Sequence, residues 1–216
     1  GKLAVVSNLP DFTTALRAFI ERIPEKPETD LDFANAESAC KALKRAEDAL
    51  TAGEDAALGE MVDFEAMRRQ VRDLKDLART TRLATEKLVA ARKEQIRGEI
   101  VASGVARYQA HIESLNASLG RNYMPRLPVD FGGAVKGKRT VDSLLCAVND
   151  ELARAKIAAN EVAQRIQTNL NTLREKAADH AFLFADTAAL VQKEPEFVTL
   201  TVHTRISEHQ KAEAAR

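Results

Sequence analysis

Residues 61–119 contain no proline and keep an apolar stripe at helical spacing over most of their length. Read as one helix at 1.5 Å per residue, this segment is roughly 88 Å long. A compact chain of this size has a radius of gyration of about 17 Å. Such a helix does not fit inside its own globule. Either the protein is elongated, or the helix breaks at Gly98 or Gly104. Before Gly98 the stripe reads Phe64, Met67, Val71, Leu74, Leu77, Ala84, Leu88 and Ala91. After it come Val101, Val105, Tyr108, Ile112, Leu115 and Leu119, in alternating steps of four and three that make a coiled-coil register. Gly98 lies near the middle of the span, so a bend or a change of partner is expected there.

The flanking sequence supplies partners. Residues 2–9 are short and apolar, and Pro10 with Asp11 reads as the first turn of a helix that buries Phe12, Leu16, Phe19 and Ile23 and stops before Pro24. Thr29 and Asp30 cap a second helix running to about Thr51, with Phe33, Ala36, Leu43, Ala46 and Leu50 on one face. Gly53 and Gly59 bracket a short acidic connector. Gly120 ends the long helix, and residues 120–140, with Pro125, Pro128, Gly132, Gly133 and Gly137, read as the one sizeable loop. Thr140 caps a further helix whose stripe is Val141, Leu145, Val148, Leu152, Ala155, Ala159, Val162, Ile166 and Leu173. Two long stripes joined by one loop predict an antiparallel hairpin over 61–177 with the loop at its tip. The phenylalanines Phe12, Phe19, Phe33, Phe64, Phe182, Phe184 and Phe197 fall outside the arms or at the start of the first. They place a small helical body, residues 1–60 and 178–216, at the open end. Residues 197–204 are rich in β-branched side chains, but Val198, Val202 and Ile206 at i, i+4, i+8 after Pro195 favour a helix. The expected fold is therefore all-α and elongated: a long antiparallel, coiled-coil-like helical hairpin with a small helical body.

Composition narrows the function. Thirty-two basic residues balance thirty-two acidic ones, so no global charge draws the chain to nucleic acid or to an acidic membrane. No apolar run approaches a membrane span, and no signal peptide is visible. Cys40 and Cys146 are far apart and read as small packed residues of a reducing cytoplasm. His111, His180, His203 and His209 form no ligand spacing with other metal-binding side chains, and no nucleophile–base set occurs. No cofactor, metal or catalytic residue is expected. The opening Gly1 and the helical run that ends the chain read as those of an expressed fragment of a longer protein.

Two groups of residues are candidates for binding. Arg68, Arg72, Lys75, Arg79 and Arg82 recur at heptad spacing and could track a phosphate backbone. The charge map offers another reading. Residues 28–60 carry nine acids against three bases, and residues 61–107 carry eleven bases against seven acids, which suits pairing between adjacent helices. In the loop, Tyr123, Arg126, Phe131, Lys136, Lys138 and Arg139 form a basic, aromatic-bearing group next to a helix N-terminus. Backbone amides there could hold an anion, and Tyr123 and Phe131 could stack on a base. A solvated turn and a protein-binding tip are the other readings.

The run AlaGluSerAlaCysLysAlaLeuLysArgAlaGluAspAlaLeu and the later LysLeuValAlaAlaArgLysGluGlnIleArg resemble helical phage and prophage proteins of unknown function. AspPheGlyGlyAlaValLysGlyLysArgThrValAspSerLeu is similar to a linker-plus-helix region in such proteins, and IleSerGluHisGlnLysAlaGluAlaAlaArg to the start of their charged tail helix. The resemblance covers most of the chain. It implies a setting beside recombination genes, such as those of single-strand annealing proteins and exonucleases, and supplies no catalytic residue. The expected function is a non-enzymatic phage or prophage accessory protein that binds protein partners, in DNA recombination or replication. Direct nucleic-acid binding is the alternative. A homo-oligomer through an exposed stripe remains open.

Overall fold

In a computed structural model the chain is all-α, and the structure describes residues 8–57 and 64–216. No strand occurs among them. The elements are α1 (Leu9–Glu21), α2 (Asp30–Ala57), α3 (Phe64–Leu119), α4 (Phe131–Ala134) and α5 (Val141–Lys176). A 3-10 turn (Ala178–Leu183), α6 (Thr187–Leu190) and α7 (Pro195–Ala214) follow. The β-branched stretch 197–204 is helical, with Val198 and Val202 buried on the expected face. The expected apolar start before Asn8, and Gly59, lie outside the described residues. The chain divides into two compact units, and α3 contributes to both without interruption at Gly98 or Gly104.

The first unit holds the described residues up to Glu99, together with Thr140–Asp142. Its core joins Leu9 and Leu16 of α1, Leu43 and Leu50 of α2, and Val71, Leu74 and Ala78 of α3. Phe12, Phe19, Ile20 and Ile23 close over it. Helix α2 begins in a reciprocal cap: the Asp32 N–H donates to Thr29 Oγ1 at 3.2 Å, and the Thr29 N–H donates to Asp32 Oδ2 at 3.0 Å. The Thr29 and Glu28 amides, both donating to Asp32 Oδ2, hold the Asp32 carboxyl below its ordinary pKa. The helix does not stop near Thr51; it runs through Gly53 to Ala57. Contacts between α2 and α3 descend along one helix as they climb the other: Glu54–Arg68, Glu47–Arg82, Glu37–Lys93. The two helices are antiparallel, and the helical hairpin of this protein is α2 with α3.

The buried stripe of α3 in this unit is Val71, Leu74, Ala78, Thr85, Val89, Arg92 and Ile96. It lies one position past the expected Leu77, Ala84, Leu88 and Ala91, which are half-buried or exposed. A purely apolar reading misses this register because two of its members are polar. Each is satisfied where it sits. The Thr85 hydroxyl donates to the Thr81 carbonyl at 2.8 Å, and Arg92 Nε donates to the Pro27 carbonyl at 3.0 Å.

The second unit holds Ile100–Arg139 and Ser143–Arg216. Its larger core joins Tyr108 of α3, Phe131 and Val135, and Leu144, Val148, Leu152, Ala155 and Ala159 of α5. Three observations give the relative direction of α3 and α5. Gly104 abuts Val148, Arg107 bonds Asn149, and His111 bonds Asn160. Both numbers rise together, so α5 runs parallel to the second half of α3. This corrects the expected antiparallel pairing within 61–177. The connector explains it. At about 3.3 Å per extended residue, residues 120–140 reach roughly 70 Å, more than twice the roughly 30 Å of helix they must retrace. The connector runs back along α3 instead of turning at a tip, and it carries the short helix α4.

Residues after 176 belong to this second unit, a second difference from the expected domain division. Ala177, Phe184, Leu190, Val198 and Val202 form a core that Leu173 of α5 joins directly. Buried Asn169 fastens the turn before α7, its Nδ2 donating to the Val191 and Lys193 carbonyls at 2.8 and 2.7 Å. The aromatic rule for a thick core fails for Phe182 and Phe197, which are exposed. In α5 the buried positions are Leu144 and Ala163, where Leu145 and Val162 were expected.

Candidate functional site

The two candidate groups fall in different units. The basic stripe belongs to the first. Arg68 lies 3.9 Å from Glu54, and Arg82 reaches both Glu47 at 3.3 Å and Glu86 at 3.2 Å. Lys93, farther along, pairs with Glu37 and sits over the Phe33 ring. The acidic α2 thus takes both ends of the five-residue stripe. Arg72, Lys75 and Arg79, its middle members, have no ion pair among the described residues; Lys75 is half-buried, and the other two are exposed.

The connector residues belong to the second unit. Gly120 ends α3 with φ +84°, a conformation that only glycine adopts without strain. The chain then runs without regular structure from Tyr123 to Asp130. Pro125 and Pro128 fix their own φ and hold Met124 and Leu127 in the extended region. Side chains anchor this segment at intervals. The Met124 N–H donates to Asn116 Oδ1 at 2.9 Å. Arg154 Nη2 donates to the Pro128 carbonyl at 3.3 Å, and the Asp130 N–H donates to Glu151 Oε1 at 3.0 Å. Glu151 and Arg154 are themselves paired at 2.6 Å. The Arg154 guanidinium, with the Asp130 amide, holds the Glu151 carboxyl below its ordinary value. Asp130 then caps α4, taking the Gly133 N–H at 2.7 Å. A Cβ on Gly133 would lie 2.1 Å from Asp130 Oδ2, so the cap needs glycine there.

Phe131 is 3 % exposed, wedged against Gly104 of α3 and Val148 of α5. It is a core residue, too buried for its ring to stack on a base, which removes it from the expected stacking pair. Tyr123 is half-buried, its carbonyl taking Gln192 Nε2 at 3.3 Å. Arg126, Lys136, Lys138 and Arg139 are exposed. The anion expected at the N-terminus of α5 is supplied from within the chain. The Asp30 carboxylate accepts the Val141 and Asp142 N–H groups at 2.6 and 3.0 Å. Nothing in the local sequence pattern announces this pairing across 111 residues.

Sequence reasoning missed an open groove of about 510 Å³ along the extended segment. Leu127 and Val129 form one wall; Val105, Tyr108 and Ile112 of α3 form the other. Arg126 and Glu113 stand at its edges, both exposed and without an ion pair among the described residues. Burial pushes the Tyr108 phenol up, and its O–H is buried with no hydrogen-bond partner among the described residues. The signal for the groove was the out-in alternation of Arg126, Leu127, Pro128, Val129, Asp130 and Phe131. Among the described residues, no helix is long and apolar enough to cross a membrane, and no group of three or more His, Cys, Asp or Glu is placed to hold a metal ion. No protein-family model, no curated protein and no solved structure matches this chain.

Proposed function

We propose that this chain is a non-enzymatic protein-interaction module of the cytoplasm, a phage or prophage accessory protein acting in DNA recombination or replication. The observation that carries the interaction reading is the groove beside residues 123–130, open, walled by apolar side chains and edged by two charges of opposite sign without an ion pair among the described residues. Such a surface suits a protein ligand better than a phosphate backbone, which needs a run of like charge. The resemblance to phage and prophage helical proteins supplies the biological setting. Leu83 and Leu88 of α3 are exposed as well and add apolar surface in the first unit for a further partner or a second copy.

The groove is tested by placing a photo-crosslinking side chain at exposed Gln109, on its α3 wall, in the native host. A discrete protein adduct is expected, and Val105→Glu should remove it without lowering the thermal midpoint, since Val105 is 38 % exposed. An adduct that survives Val105→Glu, or no protein adduct at all, overturns the reading. Arg72, Lys75 and Arg79 favour the second reading, direct nucleic-acid binding, because α2 leaves them unpaired among the described residues. Fluorescence anisotropy with labelled single- and double-stranded oligonucleotides at low salt decides this. The interaction module gives no binding; salt-dependent binding lost on replacing the three by alanine installs the alternative.

A further inference from the structure

We infer that the groove is a strand-addition site: it takes an extended segment of a partner protein, paired through its backbone to Leu127 and Val129. The inferred ligand presents apolar side chains to Val105 and Ile112, with an acidic residue toward Arg126 and a basic residue toward Glu113. The inference rests on the interaction reading above and names the partner of that same groove.

In an extended chain, successive residues turn their N–H and C=O groups to opposite edges. The edge that carries Pro128 and Asp130 is occupied: α5 takes the Pro128 carbonyl through Arg154 and the Asp130 N–H through Glu151. Leu127 and Val129 have the other parity. Their N–H and C=O groups make no hydrogen bond among the described residues, and their side chains wall the groove. An extended segment with one edge held and one edge free is a template for another strand. Helix α3 cannot serve that edge, because its own backbone groups are spent within the helix. A peptide laid in the groove gains backbone bonds from Leu127 and Val129 and covers Val105 and Ile112 from water.

Two features limit the template to a specific ligand. Pro125, which shares the parity of Leu127 and Val129, offers no N–H, so the usable edge is short and does not invite open-ended stacking. Arg126 and Glu113 lie on opposite walls of the groove with opposite charge, so a peptide of complementary sign is preferred in one orientation.

The probe is a displayed library of random short peptides, selected on the full chain. Enriched peptides should show alternating apolar positions with an acid on one side and a base on the other, and no proline at the apolar centre. Val105→Glu should weaken their binding by about tenfold or more, and Arg126→Glu should reverse the preferred charge. Amide exchange followed by NMR gives the decisive readout. The Leu127 and Val129 amides should become protected when the peptide binds, while the Asp130 amide, already bonded to Glu151, should change little. Peptides that bind without protecting Leu127 and Val129, or a selection that enriches none, overturn the strand-addition inference. A Gln109 adduct with a protein that leaves both amides exchanging freely overturns it alone; failure of the otherwise unchanged chain to form any Gln109 adduct overturns the interaction reading as well.

Discussion

Between Val71 and Ile96, α3 buries a stripe that includes a threonine and an arginine; between Gly104 and Ile112, the same helix buries a glycine and a tyrosine and packs isoleucine partly against the core. In the first unit the stripe works by satisfying polar groups in place. Arg92 spans from the Pro27 carbonyl to Glu28 at 3.7 Å and Glu99 at 3.3 Å, so burying its stem leaves no donor stranded near the core. In the second unit the stripe works by shape. The missing side chain at Gly104 opens a slot, and Phe131 with Val148 fills it. One continuous helix thus meets one neighbour through an apolar core flanked by ion pairs, and the other through close packing around a glycine. The boundary between units falls after Glu99, one residue past Gly98, where a change of partner was expected.

The sharpest way to break this contrast is Phe131→Ala. Removing a fully buried ring from the slot should cost about 3–5 kcal/mol. The loss should be confined to the second unit, with amide protection falling from Tyr108 to Leu152 and holding from Leu43 to Ala78. Urea denaturation followed by residue-resolved amide exchange checks this. Equal loss in both units would mean that they unfold together and that the contrast is only descriptive. Arg92→Leu comes next. It keeps the bulk of the stem but strands the Pro27 carbonyl, at a cost of about 1–3 kcal/mol. Here the first unit should lose protection, beginning at the turn before α2. An unchanged thermal midpoint would show that the arginine only occupies space.

The contrast also explains what the sequence could and could not reveal. The long helices were legible, because Pro10, Pro24, Thr29, Gly120 and Pro195 punctuate long periodic runs, but the short α4 inside the expected loop was not. The pairing of acidic α2 with basic α3 was legible from charge, though not its direction. Register was not legible where the buried stripe carries Thr85 and Arg92, since hydrophobicity points to Leu88 instead. The direction of α5 was not legible either. A short loop forces antiparallel neighbours, but residues 120–140 are long enough to retrace the helix, and only their contacts with Asn116, Glu151 and Arg154 decide the path. The groove followed from that path and was hidden with it. Asp30 bonding Val141 across the chain had no local signature at all.

The smallest effect discriminates most finely, because it compares two glycines of one helix. Gly98 and Gly104 both weaken an α-helix relative to alanine, by about 1 kcal/mol each. At Gly98 an added Cβ meets no atom within 4 Å, so Gly98→Ala should raise stability by up to that amount. At Gly104 the same Cβ would lie 2.6 Å from Val148 Cγ1 and 3.0 Å from Phe131 Cδ1, both in the packed core. Overpacking of this kind costs about 1–3 kcal/mol, which cancels or exceeds the gain in helix propensity. Gly104→Ala should therefore be neutral to destabilising, and Gly98→Ala stabilising, in chemical denaturation of the full chain. Pairing Gly104→Ala with Val148→Ala should recover part of the loss, because the smaller partner vacates the space the new methyl needs. If both glycine variants gain stability equally, the slot at Gly104 is not a close contact, and packing by shape does not distinguish the second half of α3 from the first.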